Sequence, residues 1–277
     1  MSTPSSSAPL RLLILGAHPD DPEFHAGGLA TVYRQAGHEV RMVSVTDGRS
    51  GHHRYASDEL VRVRRQEATA AARVIGAEYE TWDFPDGTLQ VTLELRERVI
   101  RSIRSFAPDL VLTHRPNDYH PDHRAVGQTV QDASYMVTVP LVVPDTPILP
   151  RDPVVAYLPD LFTHPYPLVG DVVLDITPYM GTVVEMLACH VSQVFDFLPF
   201  NQGISDQVPP EGDDRDAWLR QWYTRIIRPR ADRFRDQLID QYGPSRGAAI
   251  ECIEAFEVSE YAAPLDAAAR RRLFWFQ

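Results

Sequence analysis

Two short stretches of this 277-residue chain crowd together the side chains that bind cations and move protons. The first is Gly16-Ala17-His18-Pro19-Asp20-Asp21, with one imidazole and two adjacent carboxylates. The second, far downstream, is His120-Pro121-Asp122-His123. His18-x-x-Asp21 sets an imidazole and a carboxylate three positions apart on a tight turn, a spacing from which both reach one cation. The second stretch adds two imidazoles. Three N/O ligands with one position left open is how catalytic zinc is held, water taking the free place. The competing explanation is structural, because Asp and His at strand ends also cap the helices that follow. Two clusters at one sheet edge favour the metal.

Adjacent side chains on a turn diverge, so Asp20 and Asp21 do not both ligate one ion. With Asp21 on the metal, Asp20 is free to hold a water and take its proton. A metal lowers the pKa of that water to near 7, which makes a carboxylate base adequate. His120, beside the metal but off it, could stabilise a developing oxyanion.

The elements that must position these groups alternate. Leu12 to Leu15 is a continuous apolar run and predicts a buried strand over Arg11–Leu15, ended by Gly16. Its carboxyl end is where open α/β sheets place ligands. Periodicity then predicts a helix over 27–35, a strand over 40–45 and a helix over 57–75 closed by Gly76. A strand over 79–82, a helix over 93–106, a strand over 110–113 and a helix over 124–135 follow. The order implies an α/β, Rossmann-like fold with a mostly parallel central sheet and helices on both faces.

Beyond Pro140 the texture changes to a proline-spaced connection. Strands are expected over 154–158 and 172–174, a helix over 179–195, a surface loop over 199–216 and a closing strand over 250–256. An amphipathic, Arg-rich helix is expected over 218–242. It can pack on the core, cap the mouth of the site or form a homo-oligomer contact; core packing is the expectation. Residues 1–10 read as a disordered tail, and 11–277 as a single domain with an elaboration at 198–245.

Composition narrows the function. A formal net charge of -11 disfavours nucleic acid and acidic membranes as partners, since either favours a basic patch. All 27 basic residues are Arg, which excludes Schiff-base chemistry on lysine and the lysine of a phosphate-binding P-loop. Two cysteines, no signal-like start and no membrane-length apolar run lead to the expectation of a cytoplasmic protein.

The paired motifs resemble the LmbE-like (PIG-L) family of zinc-dependent N-deacetylases. Ala17 to Asp21 with Gly27-Gly28 match its first signature, and His120 to His123 its second. Thr46-Asp47-Gly48, Arg64-x-x-Glu67-Ala68, Pro85-Asp86-Gly87, Asp175-Ile176-Thr177 and His190-x-Ser192-Gln193 resemble its other blocks. The resemblance implies zinc on His18, Asp21 and His123, with Asp20 as general base and His120 as electrostatic partner. It also implies a small-molecule substrate, an N-acyl amino sugar or glycoside, that loses an acyl group from its nitrogen. Pro22 stands where many members have Glu. Asp118 occupies the place where some members have Tyr, with Tyr119 one residue later. On the substrate side the candidates are Arg49, Arg64, Asp86, Asp118 and Tyr119; Arg64 could equally pair with Glu67 or Asp86.

Two alternatives are weighed against this reading. One is a metal-dependent amidase acting on a non-sugar N-acyl compound of specialised metabolism. The other is a non-catalytic nucleotide-binding module, which the chain fits poorly. It lacks Gly-x-Gly-x-x-Gly, and paired Asp residues would repel phosphate.

Overall fold

The computed structural model describes residues 8–212 and 214–277. Most of the expected tail lies outside the described residues, and Leu10, at its end, is buried in the core. In chain order the elements are β1 (Arg11–Gly16), α1 (Asp21–Gln35), β2 (Glu39–Thr46), α2 (Ser57–Ile75), β3 (Glu78–Phe84), α3 (Leu93–Phe106), β4 (Leu110–Thr113) and α4 (Pro121–Ala133). They continue with β5 (Val154–Tyr157), β6 (Val172–Asp175), α5 (Met180–Ala188), α6 (Leu198–Asn201), α7 (Asp214–Arg233), α8 (Arg235–Tyr242), α9 (Pro244–Ala249), β7 (Ile253–Val258) and α10 (Ala267–Leu273).

The seven strands form one sheet in the order β3-β2-β1-β4-β5-β7-β6. The first five are parallel neighbours, and β7 runs antiparallel to both β5 and β6. From β1 the chain winds outward through β2 to β3, then returns to the other side of β1 with β4. The crevice between the carboxyl ends of β1 and β4 is therefore the topological switch point, the preferred ligand site of open α/β sheets.

Strand β1 is buried on both faces, as its unbroken apolar run requires. Leu12 and Ile14 enter the core shared with α1, α5 and α7, while Leu13 and Leu15 enter the core beneath α3 and α4. Among the described residues no single helix is long and apolar enough to cross a membrane.

Three expectations are corrected. Helix α1 starts at Asp21, not Gly27, because Pro22 in its first turn presets the backbone; it kinks at Ala26 (φ -142°). The Gly27-Gly28 pair is instead a point of close approach, since a Cβ on Gly28 would lie 2.4 Å from Ile176 Cγ2. The helix expected over 179–195 ends at Ala188, where Glu67 takes the Ser192 N–H and hydroxyl, both at 2.7 Å, and draws the chain aside. The helix expected over 218–242 begins at Asp214 and breaks at Phe234, giving α7 and α8. Its α7 part packs on the core through Leu219, Trp222, Tyr223 and Ile227. Helices α6, α9 and α10 were unanticipated, being too short for periodicity to declare.

The kink in α1 frees backbone donors that need acceptors. Glu254 of β7 supplies them, taking the Gly28 N–H at 2.7 Å and the Leu29 N–H at 2.9 Å. Burial pushes its carboxyl up to about 7, against the opposing pull of those donors. A carboxyl raised on folding stabilises fully below its unfolded pKa, and that contribution is lost as pH rises through the folded one. Urea midpoints of Glu254→Gln should therefore vary less than wild type between about pH 4.5 and 7; parallel profiles would refute the assignment.

Candidate metal centre and active-site cavity

At the switch point the chain turns from β1 into α1 through His18 to Asp21. Gly16 makes the turn possible: a Cβ there would lie 2.7 Å from Asp21 Cβ. Asp21 Oδ2 accepts the His18 backbone N–H at 2.7 Å, fixing the two residues to each other. From β4, His120 caps α4 and carries His123 into its first turn.

Three donors converge there. His18 Nδ1 lies 3.4 Å from Asp21 Oδ2 and 3.2 Å from His123 Nε2, and the last two are 3.6 Å apart. Donors about 2.0–2.1 Å from a tetrahedral ion stand about 3.3–3.4 Å from one another, so the three residues fit a zinc-sized cation. His114 and His120 lie close enough to widen the donor set: Asp21–His114–His123 and His18–His120–His123 each keep ligand atoms within 4.8 Å.

The outward nitrogens of both rings meet carboxylates. His18 Nε2 is 3.1 Å from Asp86 Oδ1 and 3.4 Å from Asp122 Oδ2, while His123 Nδ1 is 3.1 Å from Asp118 Oδ1. Such contacts fix the tautomer and turn the opposite nitrogen toward a metal. Burial works to lower the His18 pKa, but Asp122, Asp21 and Asp86 outweigh it and hold the ring well above the usual range. Burial works to raise Asp21, but His123 and His114 hold it well below the carboxylate range.

Asp20 sits beside this triad with Oδ1 3.1 Å from Arg64 Nη2. His120 Nδ1 accepts the Asp122 N–H at 3.2 Å, so a neutral ring carries its proton on Nε2. Burial, then His18 and His123, lowers the His120 pKa.

His18, Asp20, Asp21, Arg64, Asp86, His114, Asp118, His120 and His123 border a cavity of about 640 Å³, and Leu158, Leu161, Phe162, Phe197, Leu198 and Ile226 supply its apolar wall. The candidates for substrate contact fare differently. Asp86 and Asp118 border the cavity, yet their carboxylates are engaged with His18 and His123. Arg64 is buried and pairs with Asp20 and the Pro19 carbonyl, rather than with Glu67 or Asp86. Arg49 is not among the cavity residues; it grips Asp47 with two nitrogens at 2.8 and 2.6 Å. Tyr119 stands at the rim, 70% exposed, edge-on to His120.

Three residues escaped the sequence reading. His114 stacks on His123 with ring centres 3.8 Å apart and puts Nε2 3.0 Å from Asp21 Oδ2. Arg230 of α7 borders the cavity and contacts His25; its signal was an Arg lying in the helix's buried apolar stripe. Asp122 is fully buried and accepts the Gly87 N–H at 2.6 Å and the Leu89 N–H at 3.1 Å. It thereby ties the loop after β3 to His18, a role its place between two ligating histidine candidates concealed. Asp122→Ala should cost about 2 kcal/mol in denaturant unfolding by orphaning buried donors. The Gly87 and Leu89 amides should also lose hydrogen-exchange protection, and unchanged protection would contradict the role.

Residues 13–134 match the family model described as GlcNAc-PI de-N-acetylase, PIG-L. A 4-oxalmesaconate hydratase of Pseudomonas putida is 28% identical over 167 residues, covering 57% of this chain and 63% of that protein. A mycothiol S-conjugate amidase of Streptomyces coelicolor is 28% identical over 140 residues, covering 41% of this chain and 48% of that protein. The matched stretches thus span less than two thirds of either relative. In structure, the 4-carboxy-2-hydroxymuconate hydratase of Pseudomonas putida superimposes with a TM-score of 0.71 at 21% identity, covering 93% of this chain and 99% of that one. The shared fold extends well past the family match, which lies within residues 13–134.

Proposed function

We propose that this chain is a zinc-dependent hydrolase that removes an acetyl or other acyl group from the amide nitrogen of an amino-sugar-containing small molecule or glycoside. The observation that carries the reading is the convergence of His18 Nδ1, Asp21 Oδ2 and His123 Nε2 at the floor of the cavity. Electrostatics support it. Asp20, Asp21, Asp86, Asp118 and Asp160 border the cavity, and among the described residues the arginines that oppose them there are Arg64 and Arg230. A divalent cation offsets that excess. The family description names a de-N-acetylase, and one relative is an amidase.

Zinc held by His18, Asp21 and His123 would polarise the acyl carbonyl and bring the pKa of water toward 7. Asp20, steadied through Oδ1 by Arg64, keeps its other oxygen to take a proton from the attacking water and return it to the departing nitrogen. His120 donates Nε2–H to the carbonyl oxygen as negative charge gathers there. Asp118 and the Asp86–Asp122 pair keep the two imidazoles from rotating out of register.

Asp20→Asn should retain zinc while losing about 10²- to 10⁴-fold in turnover, measured as primary amine released from a panel of N-acyl amino sugars and glycosides. Retained turnover would sink the base assignment. His18→Ala and His123→Ala should lose zinc on dialysis, read by elemental analysis. Asp118→Asn should keep the ion but weaken it about 10- to 100-fold in chelator competition; unchanged affinity would remove Asp118 from the site.

A second reading has its own support, because one of the relatives is a hydratase. Addition of water across a conjugated double bond would use the same base and the same cation. Loss of absorbance from an unsaturated acid without amine release from any amide would select it.

A further inference from the structure

Among the described residues four arginines are buried, and three have their charge or hydrogen bonds answered within the protein. Arg64 pairs with Asp20. Arg104 donates to the backbone carbonyls of Met136, Val137, Val139, Val142, Val143 and Thr146. Arg115 grips both oxygens of Asp160 at 3.0 and 3.1 Å. Arg230 is different. It is 5% exposed, borders the cavity, and its Nη1 is buried with no hydrogen-bond partner. Its Nη2 meets only an imidazole, His25 Nδ1 at 3.1 Å.

The carboxylates that could neutralise Arg230 are already committed. Glu254 is held by the Gly28 and Leu29 N–H groups, and Asp160 by Arg115. A buried guanidinium without a counter-charge is unfavourable unless a bound group supplies one. It is also well placed to receive one. His25 lies between Arg230 and His114, whose Nε2 touches Asp21, so the guanidinium stands two imidazoles from the proposed metal ligands. Leu158, Leu161, Phe162 and Ile226 also border the cavity.

We propose that Arg230 receives a carboxylate carried by the substrate, on the part of the molecule remote from the bond that is cleaved. A carboxylate matches what is left open here, a single guanidinium nitrogen, Nη1, buried without a partner. The inference rests on the proposed deacetylation only for the choice of assay substrates.

The test uses N-acetylated glycosides in matched sets, the aglycone bearing a free carboxylate, its methyl ester or a phosphate. The wild type should favour the carboxylate over the ester by about 10- to 100-fold in kcat/KM, as a charge-assisted hydrogen bond implies. In R230Q that ratio should fall toward one, with R230K intermediate. A ratio near one in the wild type, a ratio unchanged in R230Q, or a preference for phosphate overturns the proposal. Calorimetric titration of the full chain with benzoate and benzamide separates it from the reaction. R230Q should weaken benzoate by about tenfold or more without affecting benzamide; equal benzoate binding overturns the proposal. Benzoate discrimination with no amine released from any glycoside would sink the deacetylation reading and leave Arg230 supported. Should R230Q fail to fold, R230K decides, because it keeps the charge and loses the planar fork.

Discussion

The parallel pairing of β1 with β4 is the constraint on which the site depends. Leu15 stands opposite Thr113, so the two strands end level and release their loops into the same crevice. Everything chemical follows from that register. One loop delivers His18, Asp20 and Asp21, and the other delivers His114, Asp118, His120 and His123. A slip of one residue would reverse the faces of the strand and separate donors that now stand within 3.2–3.6 Å.

Around that junction the protein concentrates negative charge and then rations its neutralisation. Carboxylates back both candidate ligand imidazoles, and Asp122 also accepts two backbone N–H groups from the loop after β3. The front of the cavity is built differently, from apolar side chains of the later segments, with α7 leaning over it through Ile226 and Arg230. The candidate ligands and most of the apolar wall thus come from different stretches of chain, the first lying inside the family match and the second outside it.

Much of this was readable from the residues, for identifiable reasons. Continuous apolar runs and period-3.6 patterning located most of the strands and long helices, because both faces of the sheet are covered and the buried stripes are clean. The candidate ligands announced themselves because three polar groups at a strand end have few structural uses. The partners of those ligands did not. Asp86 and Asp118 look like free loop carboxylates until distances show them behind His18 and His123. Arg49 and Arg64 looked equivalent, yet Asp47 takes one at the surface and Asp20 takes the other inside. Pairing across long sequence separation leaves no local periodicity to read. Helix breaks were hidden for a similar reason, since Glu67 acts on Ser192 from a distant element.

The clasp between Glu254 and the kinked α1 has a consequence for the order in which the molecule is completed. Strand β7 is made late, yet it inserts between β5 and β6, and its glutamate satisfies the donors freed just beyond Asp21. A chain built through α4 carries every proposed metal ligand but lacks the strand that anchors α1, the helix that begins at Asp21. The motif ahead of α1 is therefore finished only when a strand more than two hundred residues further along is in place.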